Sequence, residues 1–344
     1  MRPREATLRE YLLSILHSVT KPLLALASPG QRVFVPYLIG AALLSTIVWV
    51  ARLRKKTSLL SFLFPRRIWF HPSSLLDYKL AFARAVIDAA IFAPIAVTSL
   101  GAAHVVSRWL FATFGAAPAM GVRPAIIVAL FTLGALVAED FARYLVHLAA
   151  HRVPVLWEFH KLHHSAEVMT PFTVHRTHPI EGMVMRSGAA LAVGVIAGVF
   201  VWAFPGKVSG WQILGVDALG FVWNATISNL RHSHVWISFG RFGEHLFISP
   251  AQHQIHHSDR IEHYHKNMGS TFALWDWMFG TLYVTKGFER LQFGLPPSER
   301  NHGNSVWSAV MDPIFAALRL LVPARTAPAS REAREPDPGR TIAG

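Results

Sequence analysis

The chain has 344 residues, 52% of them hydrophobic and only 15% charged, and its 33 Lys and Arg against 20 Asp and Glu leave a net charge of +13. A soluble domain is about 25% charged. With a mean hydropathy of +0.33, the composition therefore argues for a bilayer protein whose basic loops are cytoplasmic flanks, and against a nucleic-acid partner. The lack of cysteine excludes disulfides, cysteine-ligated iron–sulfur clusters, thiolate haem and zinc-ribbon sites.

Taken in chain order, residues 1–33 carry Arg2, Arg4, Arg9, Lys21 and Arg32 among leucines and are expected to lie at the interface as an amphipathic segment. Arg9 and Lys21 break the first apolar run, so a cleavable signal peptide is not expected. Residues 34–51 form a first predicted span, stopped by the basic run 52–56. A second span is predicted at about 83–106, with Arg84 and Asp88 one turn apart near its start. The third begins near Pro124 and continues through Glu139 and Asp140 to His147. A fourth covers 183–204, and Pro205-Gly206 turns the chain into a weaker fifth span at 211–230. The stretch 274–283, LWDWMFGTLY, has the aromatic content of a helix resting at headgroup level. Residues 305–322 read as an amphipathic helix and 323–344 as a disordered tail. The expected fold is thus an all-α membrane bundle of about four or five inserted helices, its membrane-embedded domain spanning 34–304, with a histidine-rich cytoplasmic cap around a dinuclear metal site. Placing the basic 52–67 loop inside puts both histidine-rich stretches, 147–178 and 232–265, on that same face.

The histidines carry the chemistry. His147 and His151 are four apart, while His160/His163/His164 and His253/His256/His257 both read H-x-x-H-H. Such spacings share one helix face, so each triplet is expected to aim its rings at one point. His232 and His234 follow the fifth span, with His232 the favoured ligand. One metal takes about four to six ligands, so eight to ten histidines imply two metals. His178 and Asp140 are further candidates for ligation or for supporting a ligand, Asp140 because it precedes His147 by two turns of one helix. Imidazole alone is compatible with iron, zinc or copper, and the H-E-x-x-H of zinc peptidases is missing.

The ordered runs HRVPVLWEFHKLHHSAE, RTHPIE, RHSHVWI, SPAQHQIHHS and LWDWMFGTLY, within roughly residues 70–285, resemble the fatty acid hydroxylase / sterol desaturase superfamily. The resemblance implies a membrane-bound non-haem di-iron enzyme that uses O2 and two electrons on a lipid C–H bond, with zinc as a substitute metal in purified protein. It implies metal roles for His147, His151, His160, His163, His164, His253, His256 and His257, with a further family histidine at His232. This chain departs from many members in reading His147-Leu148 for His-Arg and His232-Ser233-His234 for His-Ser-Asn. Hydrogen abstraction followed by hydroxyl return would give an alcohol; a second abstraction would give an alkene. The sequence has no nucleotide fingerprint and no fused redox domain, so a separate ferredoxin or cytochrome donor is expected. The competing class, a histidine-rich metal transporter, would place its ligands near the bilayer midplane, whereas these follow helix ends. The lipid itself, whether sterol, fatty acyl or related, is not specified by the sequence.

Overall fold

The computed structural model describes residues 20, 25–28, 31–92, 95–208, 222–296, 299 and 303–322. Among them every element is helical, and β pairing is limited to isolated bridges between Phe247 and Phe272 and between Ser258 and Phe293. Among the described residues three helices are long and apolar enough to cross a membrane.

The first, α1 (Val35–Arg52), begins with a proline in its first turn, where a missing N–H costs nothing. Val35, Ile39, Leu43 and Ile47 recur every four residues and stay exposed, an outward apolar stripe suited to lipid. Tyr37, Ala41 and Ser45 point inward. Gly40 meets the backbone of Ala225 so closely that any Cβ would collide with its carbonyl oxygen.

Where one span was predicted at 83–106, the structure has two elements. Helix α2 (Pro72–Ile87) passes into a π-helical turn at Asp88–Phe92, and a new helix, α3 (Ser99–Phe114), starts after a break. Thr98 supplies a reason: its Oγ1 accepts the Gly101 N–H at 3.0 Å, capping the second helix.

The second candidate span, α4 (Pro124–Arg152), has 29 residues, about 43 Å of helix against a hydrocarbon core of about 30 Å. It is thus two to three turns longer than a crossing requires, and its last turns carry His147 and His151. Val153 breaks the helix in an extended conformation and Pro154 restarts it as α5 (Pro154–His164). The third candidate span, α6 (Pro179–Ala203), runs parallel to α3 and antiparallel to α4. Gly194 faces Ser99 and Ala102, Gly198 faces Val106, and Gly134 and Gly188 face Ile196 and Val146. Gly194 and Gly198 form a G-x-x-x-G, the small-residue spacing that lets helices approach closely in lipid.

Of the predicted fifth span, residues 211–221 lie outside the described residues; from 222 the chain is helical, through a π turn at Asn224–Ser228, to Arg231. The predicted interfacial segment 1–33 and the tail 323–344 are likewise largely or wholly outside them. Short helices α7 (Gly240–Leu246), α8 (Pro250–His256) and α9 (Leu274–Met278) build the polar end of the molecule. The predicted amphipathic helix is present as α10 (Val306–Leu321), opened by a capping box between Ser305 and Ser308. It lays Ala309 against Leu162 of α5 and Leu76 and Leu80 of α2, fixing the helix that carries three of the histidines.

Candidate metal centre

Nine histidines converge in two groups, His147, His151, His160, His164 and His256 in one and His163, His232, His253 and His257 in the other. Within each group the ligand-capable atoms lie within 4.8 Å of one another. These are the nine residues the sequence singled out. Their grouping differs from the expected one, in which each H-x-x-H-H triplet serves one point. Pairs four apart stay together (147/151, 160/164, 253/257), while His163 and His256 cross to the opposite group. The cause is helix geometry: adjacent residues diverge by about 100°, so His163 and His164 cannot face one point, and α5 and α8 each feed both groups. The rings of His164 and His257, one from each group, stack at 4.6 Å, so the two groups share a wall.

The ring nitrogens test whether cations fit. His147 Nδ1 lies 2.7 Å from Met268 O and His256 Nδ1 2.8 Å from Lys266 O. A carbonyl can only accept, so both Nδ1 atoms carry the proton and both Nε2 atoms present bare lone pairs inward. His160 Nδ1 donates to Glu181 Oε1 at 2.7 Å, with the same result. His147 Nε2 nevertheless sits 3.1 Å from His160 Nε2, and the latter 3.2 Å from His164 Nε2. Between His147 and His160 there is no proton to share, and two lone pairs so close repel unless a cation lies between them. In the second group His232 Nε2 is 3.2 Å from His163 Nε2 and 3.0 Å from His253 Nε2. Two ligands about 2.1 Å from one ion and about 90–100° apart would be spaced about 3.0–3.2 Å. The Nε2 atoms of His151, His256 and His257 are buried with no hydrogen-bond partner, which a buried polar atom does not tolerate without an ion or water. Both groups therefore fit metal ions.

Burial holds the rings of His163, His164, His232, His253 and His257 well below the usual histidine range, the neighbouring rings and, for His232, Arg231 adding to it. His256 is pushed down to about 3, mainly by burial. Neutral imidazole is the ligating form, so these rings are ready to bind at physiological pH.

Of the further candidates, none belongs to either group. Asp140 accepts the backbone N–H of Thr271 at 2.8 Å and of Phe272 at 3.1 Å, and the Trp275 indole N–H at 2.9 Å; it fastens α4 to the 271–275 segment. His178 caps α6, its Nδ1 accepting the Ile180 N–H at 3.2 Å while Nε2 donates to Val310 O at 2.9 Å. His234 Nε2 donates to Phe62 O at 2.7 Å. All three positions are explained by helix ends and loop anchoring, and sequence spacing could not distinguish that from ligation.

Two carboxylates escaped the sequence reading. Glu181, within the RTHPIE run, orients His160. Asp276, within LWDWMFGTLY, accepts the Met268 and Gly269 N–H groups, each at 2.7 Å, and the Thr281 hydroxyl at 2.5 Å. It thereby holds the segment whose Met268 carbonyl orients His147. Of the tryptophans of that run, Trp277 is exposed while Trp275 is half-buried with its indole bonded to Asp140, and the aspartate between them is wholly buried behind the backbone that orients His147. The remaining signal for both is position only: an acid inside a histidine-box motif.

The groups open onto a cavity of about 1640 Å³ whose walls include His147, His160, His163, His232 and His253. This exceeds the ~300–1,000 Å³ of an ordinary small-molecule site. Leu133, Leu136, Phe82, Phe92, Met185 and Phe172 supply apolar wall.

The fatty acid hydroxylase family matches residues 132–281, a range that holds all nine histidines. Ornithine lipid hydroxylase OlsE of Rhizobium tropici is 30% identical over 151 residues, 44% of this chain and 41% of that protein. Alkylglycerol monooxygenase of Xenopus tropicalis is 27% identical over 156 residues, 45% and 31% of the two chains. Lathosterol oxidase of Mus musculus is 26% identical over 151 residues, 44% of each. The match thus spans less than half the length of these relatives. No solved structure matches the chain. With the helical scaffold and the two histidine groups, these similarities establish that residues 132–281 form a domain of the fatty acid hydroxylase / sterol desaturase superfamily.

Proposed function

We propose that the chain is a multi-pass membrane oxidoreductase that hydroxylates or desaturates a lipid at a C–H bond, with two iron ions held by the nine histidines. The observation that carries this reading is the pairing of two adjacent, buried groups of inward-facing imidazole nitrogens with a large, partly apolar cavity that reaches both. The named relatives act, by their names, on ornithine lipid, alkylglycerol and lathosterol, which supports a lipid substrate and leaves its identity open among them.

Iron bound there would supply activation of O2 and removal of hydrogen from the substrate. The chain's own residues do the rest. His147, His151, His160, His164 and His256 would hold one ion, and His163, His232, His253 and His257 the other. Met268 O, Lys266 O and Glu181 keep three of these rings in the ligating tautomer, a role whose loss typically costs 10–100-fold in affinity or activity. Asp276 and Asp140 fix the 268–275 backbone against α4. The cavity wall places the lipid beside the histidines and excludes water from the reacting carbon, and positioning of that carbon decides between alcohol and alkene. Electrons come from a separate ferredoxin or cytochrome with its reductase. The site faces the cytoplasm, on the side of the basic 52–67 loop.

Metal analysis of protein purified anaerobically from iron-fed cells tests the reading. About two irons per chain are expected, with loss in His160→Ala; one metal or none in the wild type would refute it.

A further inference from the structure

The cavity wall carries five arginines, and three of them have a carboxylate partner, two sharing one. Arg84 and Arg186 face Asp88, at 3.4 Å and 2.9 Å, and Arg143 pairs with Glu139 at 2.6 Å. The other two acids of the wall are engaged as well, Asp140 by backbone and indole N–H groups and Glu181 by His160. Arg32 and Arg231 remain. Among the described residues neither has a carboxylate within ion-pair distance, and each meets only neutral acceptors. Arg32 bonds the Asn224 side-chain oxygen, Ser228 Oγ at 2.9 Å and Ser228 O at 3.4 Å; Arg231 bonds the Ser270 carbonyl and Ser228 Oγ at 3.4 Å. Both guanidinium groups thus converge on one hydroxyl, and the Nε of each is buried with no partner. Burial, then the charges of Arg231 and Arg143, push the Arg32 guanidinium well below its usual range. Arg231 is buried and Arg32 half-buried. The opposing charge that acts on Arg231 is that of Asp140, which lies beyond ion-pair distance and is already engaged by three N–H groups. Among the described residues no carboxylate pairs with either guanidinium, a costly arrangement that an anion within reach of both would relieve.

We propose that Arg32 and Arg231, bridged by Ser228, receive the phosphate or carboxylate group of an anionic lipid whose chain occupies the cavity. This rests on the lipid-oxidation reading for what happens next, but not for the binding itself. A guanidinium presents paired N–H donors that match the oxygens of either anion, and a neutral lipid would leave both guanidinium groups without a paired anion among the described residues.

The test uses the full-length, metal-loaded protein in detergent and follows quenching of tryptophan fluorescence, to which Trp69 and Trp223 on the cavity wall contribute. The probes are 1-oleoyl lysophosphatidic acid, 1-oleoylglycerol and inorganic phosphate. The wild type is expected to bind the lysophosphatidic acid at least about tenfold more tightly than the glyceride, as one or two charge-assisted hydrogen bonds allow. R32Q and R231Q should each lose most of that preference, while R186Q, whose guanidinium is engaged by both Asp88 carboxylate oxygens, should keep it. Equal binding of the two oleoyl lipids by the wild type overturns the proposal without any variant, and so does a preference that survives R32Q and R231Q. Inorganic phosphate binding as tightly as the lysolipid would make this a free-anion site and overturn the lipid assignment. Absence of iron or of lipid turnover with the headgroup preference intact would count against the oxidase reading alone.

Discussion

Replacing Glu181 tests how much of the metal centre is held from outside the ligand set. Its carboxylate meets His160 Nδ1 at 2.7 Å, and both side chains are buried. A hydrogen bond to a charged group contributes about 1.5–3 kcal/mol, and about 1.4 kcal/mol is tenfold in an equilibrium constant. Glu181→Gln keeps the shape and an acceptor but loses the charge, so iron affinity in its group should fall about tenfold. Glu181→Leu leaves the His160 N–H without an acceptor, and affinity should fall about 100-fold, with thermal stability lower by about 1–3 kcal/mol. The assay is a chelator-competition titration of iron, paired with lipid turnover: kcat should drop while KM for the lipid stays put, as expected of a residue that positions a ligand. If both variants hold iron and turn over within a factor of two of the wild type, the tautomer argument is wrong.

Three other outcomes follow from particular contacts. Because His163 and His164 serve different groups, His163→Ala and His164→Ala should each lower the iron content from two towards one per chain, with different spectroscopic signatures by Mössbauer; identical spectra would contradict the split. Lowering pH should destabilise the metal-free protein. His256 is neutral when folded down to about 3 but takes up a proton near 6.5 when unfolded, so its contribution is present above pH 6.5 and falls by about 2 kcal/mol by pH 5; the other depressed rings act in the same direction, and a melting temperature flat from pH 7 to 5 would refute it. At Gly198 a Cβ would lie 2.6 Å from Val106 Cβ and 2.9 Å from Ala103 O, so Gly198→Leu should cost about 1–3 kcal/mol, while Gly121→Ala, with open space around it, should leave the melting temperature unchanged.

The nine histidines were legible because imidazoles at fixed helical spacing leave a pattern that survives without the fold. How they divide was not legible, since it depends on where α5 and α8 point relative to each other. The 34–51 and 183–204 spans were read closely because runs of apolar residues set their ends, while the predicted 83–106 span failed where the Thr98 cap outweighed hydropathy. His178, His234 and Asp140 illustrate a limit of composition: a polar residue beside a histidine box can be a cap or a tether, and only its hydrogen-bond partners decide. Glu181 and Asp276 were hidden for the converse reason, their partners being far away in sequence or on the backbone. The Arg32–Arg231 pair could not be seen at all, because about two hundred residues separate its members.

The most direct measurement is a mass-spectrometric comparison of membrane lipids exposed to the iron-loaded chain, O2 and a chemical or ferredoxin reductant. The account predicts an O2-dependent lipid product heavier by one oxygen or lighter by two hydrogens, absent with His160→Ala. Unchanged lipids in the presence of a full iron complement, O2 and reductant would contradict it.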